Sequence, residues 1–154
     1  MNIKKVQIKK LLTYSAEDVW SVVGQIDRFD WVPGIESIKL DGDLRIFTMK
    51  SMGYIIEKII EHDNQAYKIS YTAIESPVKL NYHLACIHLI PSRTGCEFIW
   101  STEVDPPNFA DIILQSMQES FILLESILKQ EFPNNLCKKK KCSLAYNRER
   151  KTVY

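Results

Sequence analysis

The sequence predicts an α+β domain in which a curved, seven-stranded antiparallel sheet surrounds one long C-terminal helix, with two short helices after the first strand. Residues 106–131 have the apolar period of an amphipathic helix, and residues 35–104 alternate with period two between regularly spaced turns. The links between consecutive strands are short. They therefore favour antiparallel pairing, because parallel strands need long crossover connections.

The first strand and the two short helices are predicted from residues 3–34. Residues 3–12 alternate loosely among lysines, which is typical of an edge strand. Ser15 and Asp18 have the spacing of a capping box, so we expect a short helix that ends near Gly24. A second short helix is predicted over residues 26–31, closed by Val32-Pro33-Gly34.

Six further strands are predicted after this region, each ending at a turn sequence such as Asp41-Gly42-Asp43 or Glu75-Ser76-Pro77. They are residues 35–41, 43–50, 54–62, 66–74, 80–90 and 95–104. A sheet of this width twists and curls. Because one helix cannot fill its concave side, we expect a cavity between the helix and the sheet.

The long helix is predicted over residues 106–131. Pro106 and Pro107 suit a first turn, where their missing N–H groups leave no bond unmade, and Asn108 is placed to cap the N–H groups that follow. At about 100° per residue, one broad face is apolar. That face carries Phe109, Ile113, Met117, Phe121, Leu124, Ile127 and Leu128.

Composition indicates an ordinary globular protein of 154 residues, with 45% hydrophobic and 25% charged residues. The apolar runs are too short to span a bilayer, and the first five residues do not form an export signal. We therefore expect a cytoplasmic protein whose four cysteines are thiols. No Cys/His spacing typical of a metal site is present, and we expect neither a metal nor a cofactor.

Charge is distributed unevenly along the chain. Residues 1–132 carry 13 Lys/Arg against 18 Asp/Glu, a net −5, whereas residues 133–154 carry seven against one, a net +6. We therefore expect one domain over 1–132 that does not bind nucleic acid, followed by a disordered basic tail over 133–154. Alternatively, the run Lys138, Lys139, Lys140 and Lys141 contacts an anionic membrane surface, at about 1 kcal/mol per basic residue.

Short stretches spread over residues 1–131 match one known family in their order and spacing. They are Ala16-Glu17-Asp18-Val19-Trp20, Trp31-Val32-Pro33-Gly34, Gly42-x-x-Arg45, residues 57–63, Tyr71, Glu75-Ser76-Pro77, Asn81-Tyr82 and Trp100-Ser101. Together they resemble the START/Bet v 1-like helix-grip superfamily, and specifically its polyketide cyclase/dehydrase-like branch. The resemblance implies a helix-grip fold, but the superfamily includes lipid carriers, hormone receptors and cyclases, so it implies no single function.

Strand parity decides which polar side chains enter the cavity. We expect Tyr82 to face the helix and the ligand, which by parity turns His83 outward. We expect Trp100 and Tyr71 inside as well. These aromatic rings either pack in an ordinary core, or they line a binding site. In the second case a ligand would supply hydrogen-bond partners for their buried polar tips.

Residues 54–62 allow either Glu57 or Lys58 to point inward. The resemblance to plant abscisic-acid receptors, whose cavity holds a glutamate and a tyrosine, favours Glu57. Arg45 would then face the cavity and pair with Glu57. Such a pair would be worth little at a solvated strand end. Shielded from water, it would orient the polar end of a ligand.

The long helix and two loops complete the predicted binding site. Ser116 and Ser120 lie in the apolar sector beside Met117, where their hydroxyls either bond back to helix carbonyls or face a partly filled space. The resemblance also places two loops at the cavity mouth, one with Met52 and Gly53 and the other with Ser76 and Pro77.

We therefore expect the chain to bind or transport a small hydrophobic or lipid-like molecule. A polyketide cyclase or dehydratase is an alternative, with Glu57, Arg45, Tyr82 or His83 as the acid or base. No set of nucleophile, base and orienting group is recognisable, which weighs against this alternative. A regulatory interaction protein is a third possibility.

Overall fold

The computed structural model describes residues 1–133 and contains, within them, seven strands and two α-helices. The strands are β1 (Lys4–Leu12), β2 (Lys39–Asp41), β3 (Leu44–Met49), β4 (Gly53–Asp63), β5 (Lys68–Glu75), β6 (Tyr82–Ser92) and β7 (Gly95–Asp105). The helices are α1 (Ala16–Val23) and α2 (Ala110–Glu131), and a 3-10 turn spans Pro107–Phe109.

All seven strands form one antiparallel sheet in the order β1-β7-β6-β5-β4-β3-β2. The long helix α2 follows the last strand, and the sheet curves around it. The predicted fold class, a helix-grip α+β domain, is confirmed.

The tail predicted for residues 133–154 lies outside the described residues from position 134 onward, and so do its lysine run 138–141 and two of the four cysteines. Its role therefore stays a prediction. Within residues 1–133, no helix is both long and apolar enough to cross a membrane.

Helix α1 forms as its sequence predicts. The Ser15 hydroxyl accepts a hydrogen bond of 3.0 Å from the backbone N–H of Asp18, and Gly24 closes the helix with an N–H bond to the Trp20 carbonyl. The second short helix predicted over residues 26–31 is wrong, because this segment is a series of turns.

The turns have short-range hydrogen bonds in place of a helical ladder. The N–H of Arg28 bonds the Gln25 carbonyl at 3.1 Å, and that of Val32 bonds the Phe29 carbonyl at 3.0 Å. Contacts with distant parts of the fold hold this segment, for example the ion pair between Arg28 and Glu131 of α2.

Helix α2 begins later than predicted, and Asn108 does not cap it. The N–H of Phe109 bonds the Pro106 carbonyl, so Asn108 lies inside a 3-10 turn. The capping position just before the helix belongs to Phe109. A capping residue normally has an extended backbone and an oxygen in its side chain, whereas Phe109 has a helical backbone and makes no side-chain cap bond. The strand predicted over 35–41 is also shorter, because Ile35 makes only an isolated bridge to Met49.

The main core lies at the β1 edge of the sheet. Helix α2 packs there over β1 and β7, and α1 packs over β6 and β7. Its fully buried side chains include Val19, Leu89, Phe98, Leu124 and Leu128. A second, smaller cluster lies toward the opposite edge and is built on Phe47, Met49 and Ile55. The concave face between the two clusters is therefore left without a helix against it.

Two register shifts between β4 and β5, at Ile56/Glu57 and at Ile59/Glu61, increase the bend of the sheet. The β5–β6 ladder is short and pairs only Lys68 through Tyr71 of β5. Beyond Tyr71 the two strands separate, and the concave face opens at this end.

Gly95, at the start of β7, allows a close approach of the chain at the end of β1. A Cβ atom at this position would lie 1.9 Å from the Leu12 carbonyl oxygen, which is backbone and cannot move aside. We predict that Gly95→Ala lowers the free energy of unfolding by about 3 kcal/mol, as overpacking does in well-packed sites. Urea denaturation measures this loss.

Gly42→Ala is the matched control. Gly42 has a φ of +63° but nothing within 4 Å of an added Cβ, so only the left-handed conformation is penalised, by about 1 kcal/mol. Equal losses in the two variants would contradict the steric explanation.

Candidate functional site

A cavity of about 310 Å³ lies between α2 and the concave face of the sheet. Strands β3 to β7, helix α2 and the turns after α1 all contribute side chains to its wall. Most of these side chains are apolar, such as Phe47, Ile69, Ile87 and Met117. This is the composition of a small-molecule pocket, in which a few polar groups lie among hydrophobic ones.

Arg45 and Glu57 form an ion pair in the wall of this cavity. They lie opposite each other on β3 and β4, and Nη2 of Arg45 is 2.7 Å from Oε1 of Glu57. Their side chains are 13% and 14% exposed. The pair is thus largely shielded from water, and the register with Glu57 inside is the one observed. Lys58, the alternative, points outward toward Asp43.

Two further contacts hold Arg45 in place. Its Nη1 donates a hydrogen bond of 3.3 Å to the Ile26 carbonyl, and its guanidinium carbon lies 4.7 Å from the centre of the Tyr71 ring. Burial raises the pKa of the Glu57 carboxyl, and the adjacent Arg45 guanidinium opposes that shift.

Tyr71 and Trp100 both line the cavity, as predicted, and their polar tips meet. The Trp100 indole N–H donates to the Tyr71 hydroxyl at 3.2 Å. Burial, reinforced by the negative charge of Glu57, raises the pKa of the Tyr71 phenol well above its ordinary value. The phenol therefore keeps its proton. This proton can still be donated, because the Tyr71 oxygen is the acceptor in the bond from Trp100.

The inward orientation predicted for Tyr82 is wrong. Tyr82 is not part of the cavity wall, and its hydroxyl donates to Glu103 at 3.4 Å on the other face of the sheet. His83 lines the cavity in its place. The reason is the pairing of β6 with β7, which sets His83 opposite Val104 and Ala85 opposite Thr102 on the inner face.

His83 has a defined tautomer. The backbone N–H of Ala73 donates to its Nδ1 at 2.9 Å, so Nδ1 carries no proton and Nε2 carries the one of the neutral ring. This bond forms where β5 leaves β6, and the ring takes a position that a strand carbonyl would otherwise occupy. Burial lowers the pKa of His83 to about 4, so the ring is neutral at pH 7.

Helix α2 supplies the opposite wall, and all three residues predicted on it line the cavity: Ser116, Met117 and Ser120. The Thr102 hydroxyl donates to the Met117 sulfur at 3.4 Å. The Ser120 hydroxyl is buried and has no hydrogen-bond partner within the described part of the chain. It does not bond back to its own helix, the first of the two alternatives for this residue.

The predicted mouth loops lie beside the cavity. Met52, Ser76 and Pro77 line it, whereas Gly53 does not. Gly53 instead supports Pro77 from behind, because a Cβ on Gly53 would come within 2.6 Å of the proline ring. The two loops thus contact each other at this end of the cavity.

Besides His83, the wall residues that sequence reasoning did not place in the cavity include Trp31 and Arg28. Trp31 is buried, and its ring centre lies 5.4 Å from that of Trp100. Arg28 lines the cavity and forms ion pairs with Asp30 and with Glu131 of α2. Both belong to the turns after α1. A predicted helix there concealed which of its residues face inward.

The described residues contain no group of three or more His, Cys, Asp or Glu side chains that could hold a metal ion.

Comparison with known proteins supports the fold and identifies a family. The sequence profile of the family described as polyketide cyclase / dehydrase and lipid transport matches residues 4–122. No curated protein matches the chain in sequence.

Solved structures share the fold at low sequence identity. An uncharacterised protein from Bacillus thuringiensis has a TM-score of 0.70 at 17% identity, over 82% of this chain and 98% of its own. A protein from Nitrosospira multiformis has 0.69 at 17% identity, over 83% and 98%. Norcoclaurine synthase from Thalictrum flavum, solved with dopamine and hydroxybenzaldehyde, has 0.63 at 22% identity, over 83% and 88%.

The lowered pKa of His83 predicts a pH dependence of stability. The unfolded chain protonates this ring near its ordinary value of 6.5, whereas the folded chain does so only near 4. The contribution to stability is complete above about pH 7 and is lost as the pH falls through this window, by about 3 kcal/mol.

His83→Asn should remove that part of the pH dependence, because an asparagine oxygen still accepts from the Ala73 N–H but does not titrate. Urea denaturation between pH 4 and 7.5, compared with the parent, measures the difference. His88→Asn, on the other face of the same strand, is the matched control. A slope lost equally in both variants would contradict the assignment to His83.

Proposed function

The chain belongs to the polyketide cyclase / dehydrase and lipid transport family, and from this membership we propose that it binds a small, largely apolar molecule with one polar group. The observation that carries the proposal is the apolar cavity with the shielded Arg45–Glu57 pair in its wall. We place the ligand between α2 and the sheet, with its polar group toward this pair.

Apolar contact would supply most of the affinity. Each Å² of apolar surface removed from water contributes about 25 cal/mol, part of which offsets the loss of motion on binding. A cavity of about 310 Å³ lies at the lower end of the range for small-molecule pockets. It suits a compound of two or three rings or a short acyl chain, and it is too small for a two-chain phospholipid.

The polar residues would orient the ligand. Arg45, Glu57 and Tyr71 contact one another on the sheet, with Trp100 behind them. Ser116, Met117 and Ser120 form the wall that the ligand meets on α2. Charged hydrogen bonds shielded from water are stronger than exposed ones, so a correctly placed polar group would fix the orientation of the molecule.

A cyclase or dehydratase activity is the second candidate. It is favoured by three proton-holding groups in one cavity, namely Glu57, Tyr71 and His83. Norcoclaurine synthase, which shares the fold, is an enzyme that was solved with two small aromatic molecules. The neutral His83 ring and the Glu57 carboxyl would be the groups to exchange protons with a substrate.

Mass spectrometry separates the two candidates. A co-purified molecule is extracted, returned to ligand-free protein and weighed again after incubation. An unchanged mass at an unchanged chromatographic retention time supports binding or transport. Loss of one water supports a dehydratase, and the same mass at a new retention time supports a cyclase. Turnover that persists in both Glu57→Gln and His83→Asn would contradict a role for these residues in catalysis.

The binding proposal is tested by filling the cavity at one position. Ser116→Phe adds an aromatic ring to the cavity wall, so we predict at least tenfold weaker binding of the uncharged fluorescent probe N-phenyl-1-naphthylamine. Tenfold corresponds to about 1.4 kcal/mol. Fluorescence titration measures the affinity, and circular dichroism verifies that the fold is kept.

Ser116→Ala is the control at the same position, because it removes the hydroxyl without filling the space. It should bind the probe within about twofold of the parent. Equal affinity in the parent and in Ser116→Phe would place the probe outside the cavity and contradict the proposal.

A further inference from the structure

Two residues that line the cavity each contain a polar atom that is buried and has no hydrogen-bond partner within residues 1–133. The two atoms are Nε of Arg45 and the hydroxyl oxygen of Ser120. Arg45 uses its Nη2 for Glu57 and its Nη1 for the Ile26 carbonyl, which leaves the Nε–H as a donor without an acceptor. A buried donor left unpaired is costly, and such atoms are rare in folded proteins.

Two further donors belong to neighbouring side chains. His83 accepts at Nδ1, so its Nε2 carries a proton for which the described residues supply no acceptor. The Tyr71 hydroxyl accepts from Trp100 and keeps its own proton to donate. The two rings are adjacent, with centres 6.5 Å apart, and Arg45 lies over the Tyr71 ring.

Nε of Arg45 and Nε2 of His83 can only donate, and the hydroxyls of Tyr71 and Ser120 can donate as well. The polar part of a matching ligand is therefore an acceptor. A carbonyl oxygen has two lone pairs and can accept from two donors at once.

Charge decides between a neutral and an ionised acceptor. Arg45 is already neutralised by Glu57 at 2.7 Å, so a ligand carboxylate would add an uncompensated charge inside the cavity. Glu57 differs from the donors described above, because its carboxylate could accept a hydrogen bond from a ligand ammonium. That ammonium would lie beside the Arg45 guanidinium, and repulsion between the two cations opposes it.

Resting on the binding function proposed above, we infer that the ligand presents an uncharged carbonyl whose oxygen accepts two hydrogen bonds, one from the sheet and one from Ser120 on α2. The donor on the sheet is Arg45, Tyr71 or His83. The substrate class is therefore a ketone, ester or amide on a compact apolar body.

A series of naphthalenes that differ in one substituent tests this inference. The probes are 2-acetylnaphthalene, its hydrocarbon isostere 2-isopropenylnaphthalene, 1-(2-naphthyl)ethylamine and 2-naphthoate, each titrated into the full chain by calorimetry at pH 7. We expect the ketone to bind at least tenfold more tightly than each of the other three.

Ser120→Ala should weaken the ketone at least threefold and leave the hydrocarbon unchanged. Because it removes an unpartnered buried hydroxyl, the midpoint of thermal unfolding without ligand should stay equal or rise. Ser70→Ala, a buried serine outside the cavity wall, is the matched control and should change neither affinity.

The possible outcomes distinguish a failure of this inference from a failure of the proposed binding function. Hydrocarbon binding as tight as that of the ketone overturns the carbonyl while leaving the binding function intact. Tightest binding of the naphthoate or the amine overturns the uncharged acceptor. Binding of none of the four overturns both proposals, and a ketone preference unchanged in Ser120→Ala overturns the role of Ser120.

Discussion

The width of the sheet, compared with the reach of a single helix, is the constraint on which the rest of the structure depends. Helix α2 packs over β1 and β7, where large apolar side chains such as Phe98, Phe121 and Leu124 close the core. The sheet continues for five more strands beyond this contact. Curvature brings the far strands toward α2, but no second long helix covers them in the described chain. The cavity is the volume that remains between them.

The Arg45–Glu57 pair is better explained by such a volume than by stability. A shielded ion pair loses most of its attraction to the desolvation of both charges, so it is weak evidence for a stabilising role. Packed apolar residues would fill the same positions on β3 and β4 at little cost. The pair instead lies beside Tyr71 and His83, and all four side chains line one cavity. Their common location is what links the fold to ligand binding.

The regular elements were predictable because apolar periodicity and turn residues are local properties of the sequence. The seven strands and both α-helices follow from them, with small shifts at most ends and larger ones at the starts of β2 and α2. The segment after α1 was not predictable in this way, because its turns are fixed by distant contacts. Arg28 bonds Glu131 of α2, and Trp31 packs against Trp100 of β7. Asn108 failed as a cap for a local reason, because it lies inside a 3-10 turn that begins at the neighbouring prolines.

The sequence did contain the information needed to decide whether Tyr82 or His83 faces the cavity. On β7, alternation places Phe98, Trp100, Thr102 and Val104 on the inner face. Antiparallel partners lie on the same face of a sheet, so the residues of β6 opposite these four must also face inward. They are His83, Ala85, Ile87 and Leu89.

Three of these four residues are apolar and almost completely buried, and this pattern decides the parity more firmly than the apolar character of one tyrosine at a strand end. The consequence is chemical as well as geometric. The inner face gains an imidazole in place of a second phenol. Burial keeps this ring neutral, and the bond from the Ala73 N–H to its Nδ1 fixes the proton on Nε2. A fixed, uncharged N–H donor beside a neutralised ion pair makes the polar side of the cavity suited to an acceptor without charge.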